Sequence, residues 1–578
     1  MDLDGFIQPR GDEHQGEYVA ERSERLAWLT GFTGSAGLAV VLRDKAAVFI
    51  DGRYTLQAET EVPASLFEYC HLTERPPHDW IADNIREGAK LGYDPWLLTP
   101  VQVARYKDAC KKAGAMLTAV PENPVDGAWT DQPPPPMAPV VVHDIAFTGK
   151  ASADKRREIG ESLAELKLDA AVLTAPDSIA WLLNIRGADV PFSPLALGFA
   201  ILAADGGCDL FMAGEKLIPK TRDHLSAEVS CHETDQFEAA LAALGEAKKT
   251  VRVNPESVPA WVFDRLEESG AVIDRGTDPC QLPKAKKNPV EIEGFKAAHR
   301  RDGASLTRFL AWLAAETPNG QVTEMAACDK LEQLRRDNDH YRGLSFPTIS
   351  GAGPNGAIVH YRVTPQTDRT LDDGMLYLVD SGAQYLDATT DVTRTVAIGA
   401  PNNAMREHFT LVLKGHIAIA IARFPEGTRG SQLDSLARRA LWAEGLDYDH
   451  GTGHGVGSFL GVHEGPQRIS KTHDRIALEP GMVVSNEPGY YKTGAYGIRI
   501  ENLVTVVNVD GGDGAEKPLL GFETLTLAPL DRALIDKSKL SQDEIAWVDA
   551  YHARVMSEIG LLVDEITAKW LKGATRPL

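Results

Sequence analysis

Cysteine is scarce in this sequence: six among 578 residues, at 70, 110, 208, 231, 280 and 328, and no two form a Cys-x-x-Cys pair. That excludes a thiolate zinc site and a disulfide-stapled scaffold, and the six read as reduced thiols. Long apolar runs are missing as well, none approaching the roughly 18–20 residues of a membrane-spanning helix. The opening stretch, MDLDGFIQPRGDEHQ, is acidic and polar, unlike a signal or transit peptide, so a cytoplasmic location is expected. Basic charge is the third shortfall. Lys and Arg number 60 against 82 Asp and Glu, a net charge of −22. A chain of that sign repels phosphate backbones and anionic membranes, so nucleic acid and membrane surfaces are not expected partners. The surplus of carboxylates suits hard metal ions.

What is present is an ordinary globular composition, 43% hydrophobic and 25% charged, long enough for three or four domains of roughly 150 residues. Leu26-Ala27-Trp28-Leu29 and Ile179-Ala180-Trp181-Leu182 stand 153 residues apart, and Gly34 and Gly187 follow at the same offset. Strand-like runs come next in both places, 38–42 and 197–202. We read two copies of one αβ unit, domains 1–147 and 148–284. Between the copies lies Asp131-Gln132-Pro133-Pro134-Pro135-Pro136, a stiff connector that continues neither helix nor central strand.

A second junction precedes Asn288-Pro289, where Asn288 caps a helix, Pro289 takes its first position and Glu291 completes a capping box. Ile292, Phe295, Leu306, Phe309, Leu310 and Leu313 keep helical spacing, predicting a helix through residue 315. Further helices are predicted over 323–336 and 405–423, and strands over 375–379, 392–398, 482–485 and 496–506. Helices mixed with antiparallel-looking strands predict an α+β third domain, 285–578.

The concentrated chemistry falls in that domain. Asp380 ends the apolar run Leu376-Tyr377-Leu378-Val379, and Asp391 opens the next strand, with Ser381-Gly382 as a turn between them. An acid at the inner end of an apolar strand is costly unless paired or metal-bound, although most acids at strand ends simply face solvent. Next, His450, His454 and His463 fall within fourteen positions, interleaved with glycines, where a lone histidine would more often be a satisfied loop residue. Glu487 follows the apolar run Met482-Val483-Val484. In Gly497-Ile498-Arg499-Ile500-Glu501 a period of two puts Arg499 and Glu501 on one face and the isoleucines on the other. Together, Asp380, Asp391, His454, Glu487 and Glu501 make an oxygen-rich donor set with one imidazole, which suits Mn²⁺ better than a structural zinc site. Five such side chains suffice for two ions about 3.5–4 Å apart that share a hydroxide, the apparatus of metal-assisted hydrolysis.

The order Asp, Asp, His, Glu, Glu, in the contexts Asp380-Ser381-Gly382, Gly451-Thr452-Gly453-His454-Gly455, Asn486-Glu487-Pro488-Gly489 and Ile498-Arg499-Ile500-Glu501-Asn502, resembles the pita-bread metallopeptidases. That superfamily includes methionine aminopeptidase, prolidase and Xaa-Pro aminopeptidase. The chain is most similar to the long, three-domain Xaa-Pro aminopeptidases (aminopeptidase P). Gly31-Phe32-Thr33-Gly34, Asp51-Gly52-Arg53-Tyr54 and Trp181-Leu182-Leu183-Asn184-Ile185-Arg186-Gly187 extend the likeness to the first two domains.

The resemblance implies two creatinase-like αβ domains ahead of a pita-bread catalytic domain. It implies a hydrolase that releases the first residue of a peptide when proline is second. By it, Asp380 is a ligand of one ion, His454 and Glu487 ligands of the other, and Asp391 and Glu501 bridges. It makes His360 and His463 histidines that hold substrate around the scissile bond, with His454 also facing substrate, and His450 a further active-site histidine. Glu487 acts as general base and acid, Arg499 supports the ligands, and Arg53 reaches toward substrate. Two divalent ions are implied, Mn²⁺ first, with Co²⁺ and Zn²⁺ as alternatives, as is a homodimer. Alternatives are a prolidase cutting only Xaa-Pro dipeptides, a metal-free peptide-binding module of the same fold, and, last, a creatinase-like hydrolase.

Overall fold

Two sheets of one design occupy the first half of the chain in a computed structural model that describes residues 3–225, 228–512 and 514–578. The chain divides into two compact units, Met1–Lys284 and Ala285–Leu578. In the first unit one sheet runs in the order Glu68–His71, Ala46–Ile50, Leu38–Leu42, Gly5–Pro9, Lys90–Tyr93, Met116–Ala119. The other runs Val229–His232, Cys208–Phe211, Phe199–Ala203, Ala170–Leu173, Thr250–Val253, Val272–Arg275. Strand for strand the pairings agree, with the same two antiparallel and three parallel neighbours.

The repeated tetrapeptides lie on matching helices, Arg25–Thr30 and Pro176–Leu183, each closed by a left-handed residue, Gly31 at φ 84° and Asn184 at φ 51°. Glycine and asparagine are the residues that adopt this conformation at least cost. In the second copy the matching sheet strand begins at Phe199 rather than 197, after a longer connection that includes the short strand Ile185–Arg186. The tract 131–136 forms no helix or strand.

The second unit opens with the helix Pro289–Glu316. Asn288 Oδ1 accepts from the N–H groups of Val290 and Glu291, and the Glu291 carboxylate accepts from Asn288 N–H, the reciprocal cap that the spacing predicts. Helices Glu324–Arg336, Asn403–Ala420, Gly430–Ala443, Gln542–Ile559 and Glu565–Ala574 follow. The strands form a six-stranded sheet with Glu464–Ile469, Gly453–Gly455, Val483–Asn486 and Asn502–Val509 as successive neighbours, and a three-stranded sheet of Ile349–Ala352, Leu376–Ser381 and Val392–Ala397. A hairpin pairs Gly489–Lys492 with Tyr496–Arg499.

Two expected features are corrected. Ser381-Gly382 is not the turn between Asp380 and Asp391: Ser381 ends its strand, and the turn falls at Leu386-Asp387, between the strands Ala383–Tyr385 and Ala388–Thr389. The run 496–506 is not one strand but two, Tyr496–Arg499 and Asn502–Val509, in different sheets. The break has a cause in the facing strand. Ile500 N–H donates to Pro488 O at 3.3 Å, but Pro488 has no N–H to return the bond, so the pairing is halved at that point. Glu487 N–H faces the other side and donates to Thr452 O at 2.8 Å. Glu501 N–H likewise faces away from Glu487 and donates to Thr393 O at 3.2 Å. The alternation survives the break: Ile498 and Ile500 are buried in one core with Leu411, Val412 and Val555, while Arg499 and Glu501 turn the other way.

Candidate dinuclear active site

Glu487 and Glu501 therefore sit at interruptions of their strands, and Asp391 lies just ahead of the strand Val392–Ala397. Asp380 is inside its strand, directly across the ladder from Thr393. These four carboxylates and His454 come from three sheets to one place. His454 Nε2 is 3.5 Å from Asp391 Oδ2 and 3.5 Å from Glu487 Oε1. Asp391, His454 and Glu501 each offer a ligand atom within 4.8 Å of the others. The Nδ1 of His454 donates to Gly455 O at 2.9 Å, which fixes the ring and turns Nε2 toward the acids.

Arg499 ties Asp380 into the group. Its Nη2 donates to Asp380 Oδ2 at 2.7 Å, its Nε to Thr393 Oγ1 at 3.1 Å and its Nη1 to Tyr491 OH at 2.6 Å. Thr393 Oγ1 in turn donates to Glu501 Oε2 at 2.8 Å. Ser485 Oγ accepts from His454 N–H at 2.9 Å and donates to Glu487 Oε1 at 3.0 Å. Residue type gave no reason to single out Thr393, Tyr491 and Ser485. A hairpin register placing Thr393 opposite Asp380 is the one signal that could have found the first.

The electrostatics of the pocket ask for a cation. Burial, with Asp380 and Glu487 nearby, pushes the Asp391 carboxyl up to about 6 even though His454 opposes the shift. Burial and the neighbouring acids push Glu501 well above the carboxylate range. His454 is held up at about 9, because Asp391 and Glu487 outweigh its burial. Asp380 Oδ1 and Asp391 Oδ1 are buried without a hydrogen-bond partner. Buried carboxylate oxygens without partners, with His454 Nε2 aimed among them, make an oxygen-rich donor set with one imidazole, and it fits divalent ions.

The other predicted residues fall around this cluster, with one in the other unit. His463 is exposed, its ring edge-on to His454 at 4.3 Å between centroids. His450 Nε2 meets Tyr491 OH at 2.8 Å, which makes a chain His450–Tyr491–Arg499–Asp380. His360 follows Val359, whose carbonyl accepts from Arg499 Nη1 at 3.5 Å. Arg53 belongs to the first unit, where its Nη2 pairs with Asp51 Oδ2 at 2.7 Å and its Nε with Asp51 Oδ1 at 3.0 Å.

Comparison with known proteins bears on the chain as a whole. Residues 293–508 match metallopeptidase family M24 and 518–578 the C-terminal region of that peptidase, while 3–122 and 131–291 each match a creatinase/prolidase N-terminal domain. A probable Xaa-Pro aminopeptidase P of Aspergillus niger is 40% identical over 592 aligned positions, spanning 100% of this chain and 96% of that one. The crystal structure of X-prolyl aminopeptidase from Caenorhabditis elegans, described as a cytosolic enzyme with a di-nuclear active site, superposes with a TM-score of 0.95 at 37% identity, over 100% of this chain and 95% of that one. A Xaa-Pro dipeptidase from Bacillus anthracis, at 22% identity and TM-score 0.54, shares the fold over 66% of this chain and 99% of its own. Among the described residues no helix is long and apolar enough to cross a membrane. With the family models matched along the chain and a relative 40% identical over its full length, the chain belongs to metallopeptidase family M24.

Proposed function

We propose that this protein is a metal-dependent exopeptidase that hydrolyses the first peptide bond of substrates with proline in second position. We further propose that Asp380, Asp391, His454, Glu487 and Glu501 hold two divalent cations. The observation that carries the reading is the grouping of Asp391, His454 and Glu501 within 4.8 Å, with Glu487 at 3.5 Å from His454, Asp380 close enough to act on Glu501, and two buried carboxylate oxygens lacking any partner. Full-length similarity to Xaa-Pro aminopeptidases supports the substrate class. Mn²⁺ is the ion best suited to four carboxylates and one imidazole, and Co²⁺ or Zn²⁺ the alternatives. The homodimer, the cytoplasmic location and the division at 147/148 and 284/285 belong to the same proposal.

Bound in this cluster, the cations supply Lewis acidity toward the scissile carbonyl and the attacking water. The chain's own residues do the rest. Glu487, steadied by Ser485, takes the proton of the attacking water and delivers it to the departing proline nitrogen. That nitrogen carries no hydrogen before cleavage and leaves as a secondary amine. His463 and His360 donate hydrogen bonds to the carbonyl oxygen as it gains charge. The free amino terminus of the substrate finds acceptors among the ligand carboxylates, which makes the enzyme an exopeptidase. Arg499 holds Asp380, and the chain from His450 through Tyr491 holds Arg499. Arg53 is assigned to substrate binding on its Asp51-Gly52-Arg53-Tyr54 motif.

The test is turnover of metal-stripped protein with Mn²⁺ restored, on an Arg-Pro-Pro tripeptide and a Gly-Pro dipeptide. Release of arginine only when the ion is present is the expected result. Cleavage of the dipeptide alone would make the protein a prolidase. Failure on both, with no ion bound, would assign the cluster to peptide binding.

A further inference from the structure

Glu324 is the first residue of the helix Glu324–Arg336 and is fully buried. Its carboxylate is the meeting point of one loop. Oε1 accepts from Ala352 N–H at 2.6 Å and from Asn355 Nδ2 at 3.0 Å. Oε2 accepts from Tyr361 OH at 2.9 Å, Asn355 Nδ2 at 3.0 Å and Arg369 N–H at 3.2 Å. All four donors are neutral, and they come from the start, the turn, the middle and the end of the segment 352–369. A carboxylate has about four acceptor positions, twice those of an amide oxygen, and at the first turn of a helix its charge is favoured by the exposed N–H groups. A neutral amide or hydroxyl in its place offers fewer acceptor positions than the four donors need.

The segment it gathers carries His360, next to Tyr361. On its far side the same segment lies against the strand of Arg499: Val359 O accepts from Arg499 Nη1, and a Cβ on Gly497 would run into the carbonyl of Gly356. His360 is thus held between an anchor at Tyr361 and the frame of the metal cluster at Val359.

We propose that Glu324 is a positioning residue for His360, fixing the 352–369 loop so that the imidazole faces the substrate. This rests on the role given to His360 above. The test is a double-mutant cycle on the full-length, Mn²⁺-loaded protein. Glu324→Gln turns an N–H₂ group toward donors and is expected to lower kcat about ten- to hundred-fold, with KM moved less and metal content unchanged. His360→Ala alone is expected to lower kcat about a hundred-fold. The double variant is expected to match His360→Ala within about two-fold, because both changes remove one interaction. A double variant whose loss is the product of the single losses would overturn the proposal, since a purely structural Glu324 acts independently of His360. Tyr361→Phe removes one hydroxyl and keeps the charge. It serves where Glu324→Gln folds poorly, with the same non-additivity expected at a smaller loss. Wild-type turnover in His360→Ala would sink the substrate role of that histidine. Wild-type kcat in Glu324→Gln beside an impaired His360→Ala would sink only the positioning role.

Discussion

Arg499 and Asp380 form a buried ion pair, Nη2 to Oδ2 at 2.7 Å, in which the acid keeps its second oxygen without a partner. A guanidinium that meets only one oxygen of a buried carboxylate orients it and leaves the other for a ligand. The remaining nitrogens are engaged by Thr393 and Tyr491, so the plane of the guanidinium is fixed by three residues at once. A lysine ammonium is a point donor and reproduces none of that fork geometry.

Arg499→Lys is therefore expected to bind both ions, since the net charge of the cluster is unchanged, but to turn over slowly. A fall in kcat of about a hundred-fold is expected from a ligand displaced by the order of an ångström. Metal analysis beside steady-state kinetics checks it: loss of an ion with normal turnover per occupied site would show that Arg499 serves binding and not orientation.

Thr393 is the shared acceptor and donor between Arg499 and Glu501. Thr393→Val keeps the shape of the strand and removes the hydroxyl, leaving Glu501 one hydrogen bond short. Partners of metal ligands typically contribute 10- to 100-fold in metal affinity or activity. We expect a drop of that size in Mn²⁺ affinity, read by titration against a competing chelator, and unchanged affinity would remove Thr393 from the ligand frame.

The five candidate donors were legible in the sequence as a joint pattern, since a carboxylate in an apolar strand or a histidine among glycines is ordinary alone, and the order of all five together carries the resemblance. The cap of the long helix was legible locally, since Asn288, Pro289 and Glu291 all agree with it. The break at Ile500-Glu501 was not, because its cause lies in Pro488 on the facing strand, and pairing partners cannot be read from one strand alone. Thr393 and Tyr491 were missed for a related reason: threonine in a strand and tyrosine in a hairpin are ordinary, and register alone gives them their place beside Asp380 and Arg499. Glu324 had no visible signal, since an acid at a helix start is common for its charge alone.

Metal removal should reverse the stability ranking of wild type and Asp391→Asn. Without cations, the wild-type cluster holds like charges together, so the asparagine variant is expected to melt no lower than wild type in excess EDTA. With Mn²⁺ at a hundred times its dissociation constant, a bound state gains about 2.7 kcal/mol for each ion. Wild type should then melt several degrees higher, while Asp391→Asn gains little and stays inactive. Calorimetry with and without chelator shows the crossing, and a wild type indifferent to both would mean that these acids are not ligands.

Acid lability is expected from a residue outside the donor cluster. His552 is fully buried on the helix Gln542–Ile559, and its Nε2 accepts the N–H of Leu530 at 3.1 Å, which only a neutral ring can do. Burial, then the charges of Arg394 and Arg532, press its pKa down to about 4. In the unfolded chain the ring titrates near 6.5, so between those values the unfolded state binds the extra proton. The sign follows: stability is full above about pH 6.5 and falls as pH drops toward 4, by about 2–3 kcal/mol from this group alone. His552→Gln keeps an acceptor for Leu530 and removes the titration. Its unfolding free energy, measured by denaturant at pH 7.5 and pH 4.5, should change less than that of wild type by roughly that amount, and equal losses in the two proteins would show that His552 does not carry the acid sensitivity.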